Sequence, residues 1–128
     1  MITTSKEKIR KKIKVNKTAH IAKDVEVDVT GKVIIGPYVE IYDGVCIFTH
    51  KHLWNHSRGL RKDIEKIVPI NLIIEKDVFI GKDAIILCVN KIGEGSIIGA
   101  GSVVTKNIPK FEVWAGNPAR KIGERKDG

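Results

Sequence analysis

Cysteine and leucine are scarce in this chain, and long apolar runs are absent from it; each shortage removes a class of protein. Two cysteines in 128 residues cannot make a disulfide framework, and a reducing compartment would keep both as thiols. No stretch approaches the roughly 18 uninterrupted apolar residues that a membrane-spanning helix needs, which excludes a helical transmembrane protein. The opening MITTSKEKIRKKIKVNK carries charge with no apolar segment behind it, so no secretory signal is expected and the cytoplasm is the expected compartment. Four Leu stand against 21 Ile and 13 Val; helices favour Leu, whereas β-branched side chains sit comfortably on a pleated surface. The chain therefore reads as a β protein, and its length is that of one domain.

A surplus of one charge is also missing where it would matter most. The net charge is +8, but residues 1–17 hold seven Lys and Arg against one Glu, and residues 120–128 hold four basic against two acidic groups. Residues 18–119 contain twelve of each sign. A neutral body cannot present the electrostatic footprint of a nucleic-acid-binding domain. The basic ends read as solvated tails, and the N-terminal arm has no assigned role.

What the chain has in abundance is a period. An aliphatic residue recurs every six positions at Ile74, Ile80, Ile86, Ile92, Ile98 and Val104, and Val68 extends the series backwards. Gly follows in Ile80-Gly81, Ile92-Gly93 and Ile98-Gly99, and small or aliphatic residues recur four places on at Val78, Ala84, Ser96 and Ser102. A shorter copy runs through Ile35, Ile41 and Ile47, and an earlier pair, Ile21 and Val27, is offset from it by two residues. A period of six is neither helical nor simple alternation. It suits a short strand and a turn, repeated, with one aliphatic side chain per unit aimed at a common axis and glycine where a Cβ would clash. The expected fold is an all-β parallel β-helix of hexapeptide units, three units to a coil.

The phase breaks between Ile47 and Val68, a gap of 21 residues where six would continue the coil. Fifteen residues beyond the normal step are therefore extruded, in a loop expected at about 50–67, and loops of that length are usually functional or disordered. Three of the chain's four histidines, His50, His52 and His56, and one of its two tryptophans, Trp54, fall here. Three readings compete for the histidines: metal ligands, for which spacings of two and four with no nearby Cys are weakly suggestive; plain structural histidines; and a general base, since imidazole titrates near neutrality and can take a proton from an attacking hydroxyl. Cys46 and Cys88 lie within repeat units, where they read as small packing residues. No Cys or Ser stands as an evident acyl-carrying nucleophile, so direct attack is the expected route.

With the hexapeptide series and the C-terminal run Ile98-Gly99-Ala100-Gly101-Ser102-Val103-Val104-Thr105-Lys106-Asn107-Ile108-Pro109 through Val113-Trp114-Ala115-Gly116-Asn117-Pro118-Ala119-Arg120, the chain from about residue 19 to 122 resembles the hexapeptide-repeat acyltransferases, in particular the galactoside and maltose O-acetyltransferases and the short sugar O-acetyltransferases of polysaccharide assembly. The resemblance implies a left-handed parallel β-helix over residues 19–122, flanked by a basic arm at 1–18 and a tail at 123–128. It also implies an acetyl-CoA-dependent O-acetyltransferase acting on a hydroxyl of a sugar or glycan precursor. Thr49-His50 ends the last regular coil before the loop, where relatives carry their catalytic base, which points to His50, with His52 the competing choice. It implies acceptor contacts from Asp28, Thr30, His52 and Trp54. Donor contacts are expected from Gly81 and Ala100 to the pantetheine arm, and from Thr105, Lys106 and Arg120 to the phosphates, where cations meet a polyanion. No metal is expected.

Four to five coils bury little apolar area for the chain entropy they cost; with the resemblance this implies a homotrimer whose active sites lie between subunits. Two departures stand out: Ile86-Leu87-Cys88-Val89-Asn90-Lys91 replaces the relatives' usual Pro-Gly-Val-like turn, and Lys82 stands where some carry a small polar residue. The competing functions are an N-acetyltransferase of an amino sugar, a non-catalytic hexapeptide scaffold, and a γ-type carbonic anhydrase relative; the last needs zinc histidines on adjacent coils, whereas these cluster in one loop.

Overall fold

The computed structural model describes residues 12–52 and 67–126. Trp54 and His56 lie outside the described residues, as does most of the expected loop. Every named element among the described residues is a strand, and among them no helix is long and apolar enough to cross a membrane.

Short strands follow one another around three parallel sheets. The first sheet takes β1 (Ile13–Val15), β4 (Val33–Ile35), β9 (Leu72–Ile74) and β12 (Lys91–Ile92). The second takes β2 (His20–Ile21), β5 (Glu40–Ile41), β10 (Phe79–Ile80) and β13 (Ile97–Ile98), and the third β3 (Glu26–Val27), β6 (Cys46–Phe48), β11 (Ile85–Leu87) and β14 (Val103–Val104). Each coil visits the three sheets in turn and pairs in parallel with the coils above and below it. Two remaining strands, β7 (His50–His52) and β8 (Ile67–Pro69), form an antiparallel stem. At the far end β15 (Glu112–Gly116) joins the second sheet, and β16 (Ala119–Glu124) folds back on it antiparallel after a cis Asn117–Pro118 bond.

The six-residue series is the core. Parallel register stacks like on like: Val15, Ile35, Ile74 and Ile92 in the first sheet, with Ile108 bridged to Ile92; Ile21, Ile41, Ile80, Ile98 and Trp114 in the second; Val27, Ile47, Ile86 and Val104 in the third. Ile47, Ile74, Ile80, Ile86, Ile92, Ile98 and Val104 are completely buried, and each such side chain removed from water is worth about 1.5–3 kcal/mol. The small residues four places on, Val78, Ala84, Ser96 and Ser102, are buried too. The glycines that follow the aliphatic residue serve close approach, since a Cβ on Gly81 would stand 2.6 Å from the Ala100 nitrogen of the next coil.

Three expectations are corrected. Val68 is no rung of the ladder: it lies in β8, opposite Lys51, and the coil resumes only at Leu72. The chain thus leaves the prism at Thr49 and rejoins it after Asn71, the two ends of the excursion paired as the single β7–β8 stem. The first coil begins at Ile13, inside the expected arm, because Val15 stands six residues before Ile21 and pairs with Ile35. At the other end β16 carries order to Glu124, past the expected start of the tail.

Candidate active site

Where the chain leaves the third sheet, the regular turn is replaced in successive coils by chemistry. After Val27 two extra residues lengthen the link to the next coil, and this link holds Asp28, Thr30 and Gly31. After Ile47 the chain departs into the excursion through Phe48, Thr49 and His50. The link can lie flat on the excursion only because Gly31 has no side chain; a Cβ there would collide with the Ile70 carbonyl oxygen.

Asp28 is 2% exposed and hydrogen-bonds the His50 Nδ1 through Oδ2. That oxygen also accepts the Thr49 amide at 3.0 Å, while Oδ1 accepts the Thr30 hydroxyl at 2.7 Å and the Thr30 amide at 3.1 Å. Burial by itself would raise the Asp28 carboxyl, but the hydrogen bonds from Thr30, His50 and Thr49 outweigh it and hold the pKa at about 2. Thr49, completely buried, ties the two segments together: its hydroxyl donates to the Asp28 carbonyl at 2.6 Å and accepts the Gly31 amide at 2.9 Å. A carboxylate at Nδ1 keeps the neutral imidazole's proton on that nitrogen and leaves the lone pair on Nε2.

His50 opens onto a cleft of about 620 Å³, whose walls also include Phe48, Lys51, His52, Leu87, Cys88 and Thr105. The His52 ring stands edge-on to that of His50, with centroids 5.1 Å apart. Cys88, at the altered corner of the third coil, adopts a left-handed φ of 57° and donates its thiol to the His50 carbonyl at 2.8 Å. Burial pushes that thiol up, so it stays protonated and serves as a donor. Cys46 lies elsewhere, on the outward side of the third sheet beside Ile85, with its thiol likewise raised by burial.

The structure brings together His50, His52, Asp28, Thr30 and Thr105, whereas Gly81, Ala100, Lys106 and Arg120 do not line the cleft. Sequence reasoning sets Asp28 against the acceptor; in the structure both its oxygens are engaged behind the imidazole, and Thr30 holds one of them. Gly81 and Ala100 sit at the corner leaving the second sheet, where the Gly81 amide donates to the Ile98 carbonyl at 2.9 Å and is thereby committed to the coil ladder. Between them these two residues contribute one methyl group, beside the exposed Lys82 and Asp83 of the same corner. Lys106 is exposed just past β14, and Arg120 is exposed on β16 opposite Ala115. Among the described residues no group of three or more His, Cys, Asp or Glu could hold a metal ion. Sequence reasoning missed Thr49, Cys88, Phe48 and Leu87. The signal for Thr49 was the period that stops at its corner, and for Cys88 it was the altered Leu87-Cys88-Val89 turn within an unbroken period.

The comparisons fit this geometry. Residues 71–106 match the family model described as the hexapeptide repeat of succinyl-transferase. A putative acetyltransferase of Schizosaccharomyces pombe is 38% identical over 96 residues, 75% of this chain and 42% of that protein; this chain thus spans under half that relative's length. Among solved structures, a hexapeptide-repeat-containing acetyltransferase from Vibrio cholerae in complex with acetyl coenzyme A superposes with a TM-score of 0.82 at 28% identity, over 91% of this chain and 62% of that one. A maltose O-acetyltransferase from Clostridium difficile gives 0.75 at 28% identity, over 93% and 73%. With the six-residue ladder, the three parallel sheets and these relatives in agreement, the chain belongs to the hexapeptide-repeat family and has the left-handed parallel β-helix of its acetyltransferases.

Proposed function

We propose that this protein is an acetyl-CoA-dependent O-acetyltransferase that acts on a hydroxyl of a sugar or glycan precursor, with His50 as general base and Asp28 as its partner. The observation that carries the reading is the hydrogen-bonded pair of buried Asp28 and partly exposed His50 at the mouth of the cleft. His50 Nε2 takes the proton of the acceptor hydroxyl as its oxygen attacks the thioester carbonyl. Asp28 stabilises the imidazolium that forms, and the proton then passes to the departing thiolate of coenzyme A. Acetyl-CoA supplies the activated acyl group, and a cytoplasmic pool of it sets the compartment. The protein's contribution is orientation, a base of the right tautomer, and walls of Phe48 and Leu87 that keep water from the thioester.

The donor is held at the Gly81–Ala100 corner, with Thr105, Lys106 and Arg120 meeting its polar and phosphate groups. That corner and the His50 corner stand at opposite edges of the third sheet, so a neighbouring chain completes each site. A homotrimer supplies the arrangement. Its support is the outward row of the first sheet, where Ile34 and Ile73 stand side by side, 42% and 44% exposed, together with the small core of each prism.

The test is His50→Ala. Thiol release from acetyl-CoA should fall at least about a hundredfold while coenzyme A still binds and the circular dichroism spectrum is unchanged; near-normal turnover would refute the assignment. Running hydroxyl and amino sugars side by side in the same assay separates O- from N-transfer, because an amine that is already neutral needs no strong base.

A further inference from the structure

Asp28 and His50 are the visible pair, but the carboxylate is set by residues behind it. Its Oδ1 receives two hydrogen bonds from one residue, the Thr30 hydroxyl at 2.7 Å and the Thr30 amide at 3.1 Å, and the same hydroxyl oxygen lies 3.5 Å from His50 Nδ1. Thr30 belongs to a link with no sheet partner of its own, which is pinned at three points. The Lys12 ammonium donates to the Thr30 carbonyl at 3.0 Å, the Gly31 amide to the Thr49 hydroxyl at 2.9 Å, and the Lys32 amide to the Asn71 side chain at 3.0 Å. Lys12 comes from the basic N-terminal stretch, which no other part of the mechanism uses.

We propose that Thr30 is a positioning residue of the base: its amide helps to hold the rotamer of Asp28, its hydroxyl limits how strongly the carboxylate holds a proton on His50, and Lys12 clamps Thr30 in place. The proposal rests on the reading of His50 as the base. A carboxylate that accepts a hydroxyl proton has less negative charge to offer an imidazolium. Losing that hydroxyl leaves the Thr30 and Thr49 amides to keep the carboxylate where it is, so the imidazolium gains stability. The other groups facing His50 are the His52 ring, the Cys88 thiol on its carbonyl, and Lys51 beside it in β7, and a substitution at Thr30 alters none of them.

The full-length chain, labelled with ¹⁵N, provides the test through the pH titration of the His50 imidazole, assigned by its absence from the spectrum of His50→Asn. In Thr30→Val the titration midpoint should move to higher pH by about half a unit or more. Thr30→Ser should restore it, and Lys12→Met should move it in the same direction by less. Should Thr30→Val fail to fold, Thr30→Ala carries the same expectation. A midpoint that is unchanged or lowered in the variant lacking the hydroxyl overturns the proposal, as does a Thr30→Ser midpoint that follows Thr30→Val. The titration needs no acceptor, so it is independent of acetyl transfer: full thiol release by His50→Ala would sink the proposed function and leave this measurement to stand or fall by itself.

Discussion

From the second coil onward the corners that leave the first and second sheets obey one rule, and those that leave the third obey none. In the former a left-handed residue stands three places past the core aliphatic: Tyr38 after Ile35, Gly44 after Ile41, Asp77 after Ile74, Asp83 after Ile80, Gly95 after Ile92, Gly101 after Ile98 and Phe111 after Ile108. In the latter, the first coil adds the Asp28–Thr30 link, the second departs at Thr49, and the third turns two places after Ile86, at Cys88. Regular corners stack coil on coil and commit their backbone to the ladder. Irregular corners leave side chains aligned along one edge, so that Asp28, His50, Cys88 and Thr105 from four successive coils meet at a single place. Repetition builds the prism, and departures from it build the site.

The sharpest way to break this division is to damage a regular rung. Ile80 is fully buried in the second sheet, away from the cleft, so Ile80→Ala should cost about 3 kcal/mol in denaturant unfolding. Turnover per folded molecule should stay at the wild-type level. A specific loss of thiol release, beyond the loss of folded protein, would show that the two regions are not separable.

This division also explains what could be read from the sequence. The ladder was legible because a six-residue period survives any side chain that faces out, so Ile35 through Val104 announce themselves without a structure. His50 was legible as a chemistry-bearing residue at the point where the period stops. Asp28 was marked by the two-residue offset between Val27 and Ile35, yet its role was not, because a carboxylate that faces an acceptor and one that faces an imidazole share the same spacing. Val68 was misleading for the opposite reason: a residue in phase by coincidence looks like a rung until its partner, Lys51 in an antiparallel stem, is known. The first strand was hidden because Val15, in phase six residues before Ile21, stands among lysines and reads as part of a charged arm.

A smaller effect sharpens the comparison through pH. The Asp28 carboxyl has its ordinary value of 3.8 in the unfolded chain and about 2 in the fold, so the folded state favours the ionised form. Its contribution, about 2 kcal/mol, is fully present above roughly pH 5 and is lost as pH falls through the unfolded value towards the folded one. Stability curves of wild type and Asp28→Asn should therefore converge between about pH 4 and 2 and run parallel above that window. Curves that stay parallel down to pH 2 would mean that the hydrogen bonds from Thr30 and Thr49 do not favour the charge.

The finest test places the same substitution at one corner of each kind. Tyr38 and Cys88 share a left-handed φ of 57°, which costs a side chain about 1–2 kcal/mol and costs glycine nothing in the fold, although glycine gives up more freedom in folding. These opposing effects should leave both Tyr38→Gly and Cys88→Gly within about 1 kcal/mol of wild type. Tyr38 is 62% exposed, and its amide keeps its hydrogen bond to Thr18 Oγ1 whatever the side chain, so acetyl transfer should not change. Cys88→Gly removes the thiol that holds the His50 carbonyl; a hydrogen bond worth about 0.5–1.5 kcal/mol corresponds to a turnover about two- to tenfold lower. Cys88→Ser, which keeps a donor at that place, should recover most of the loss. Equal activity in the two glycine variants would mean that the altered turn is only another way of rounding the prism and takes no part in holding the base.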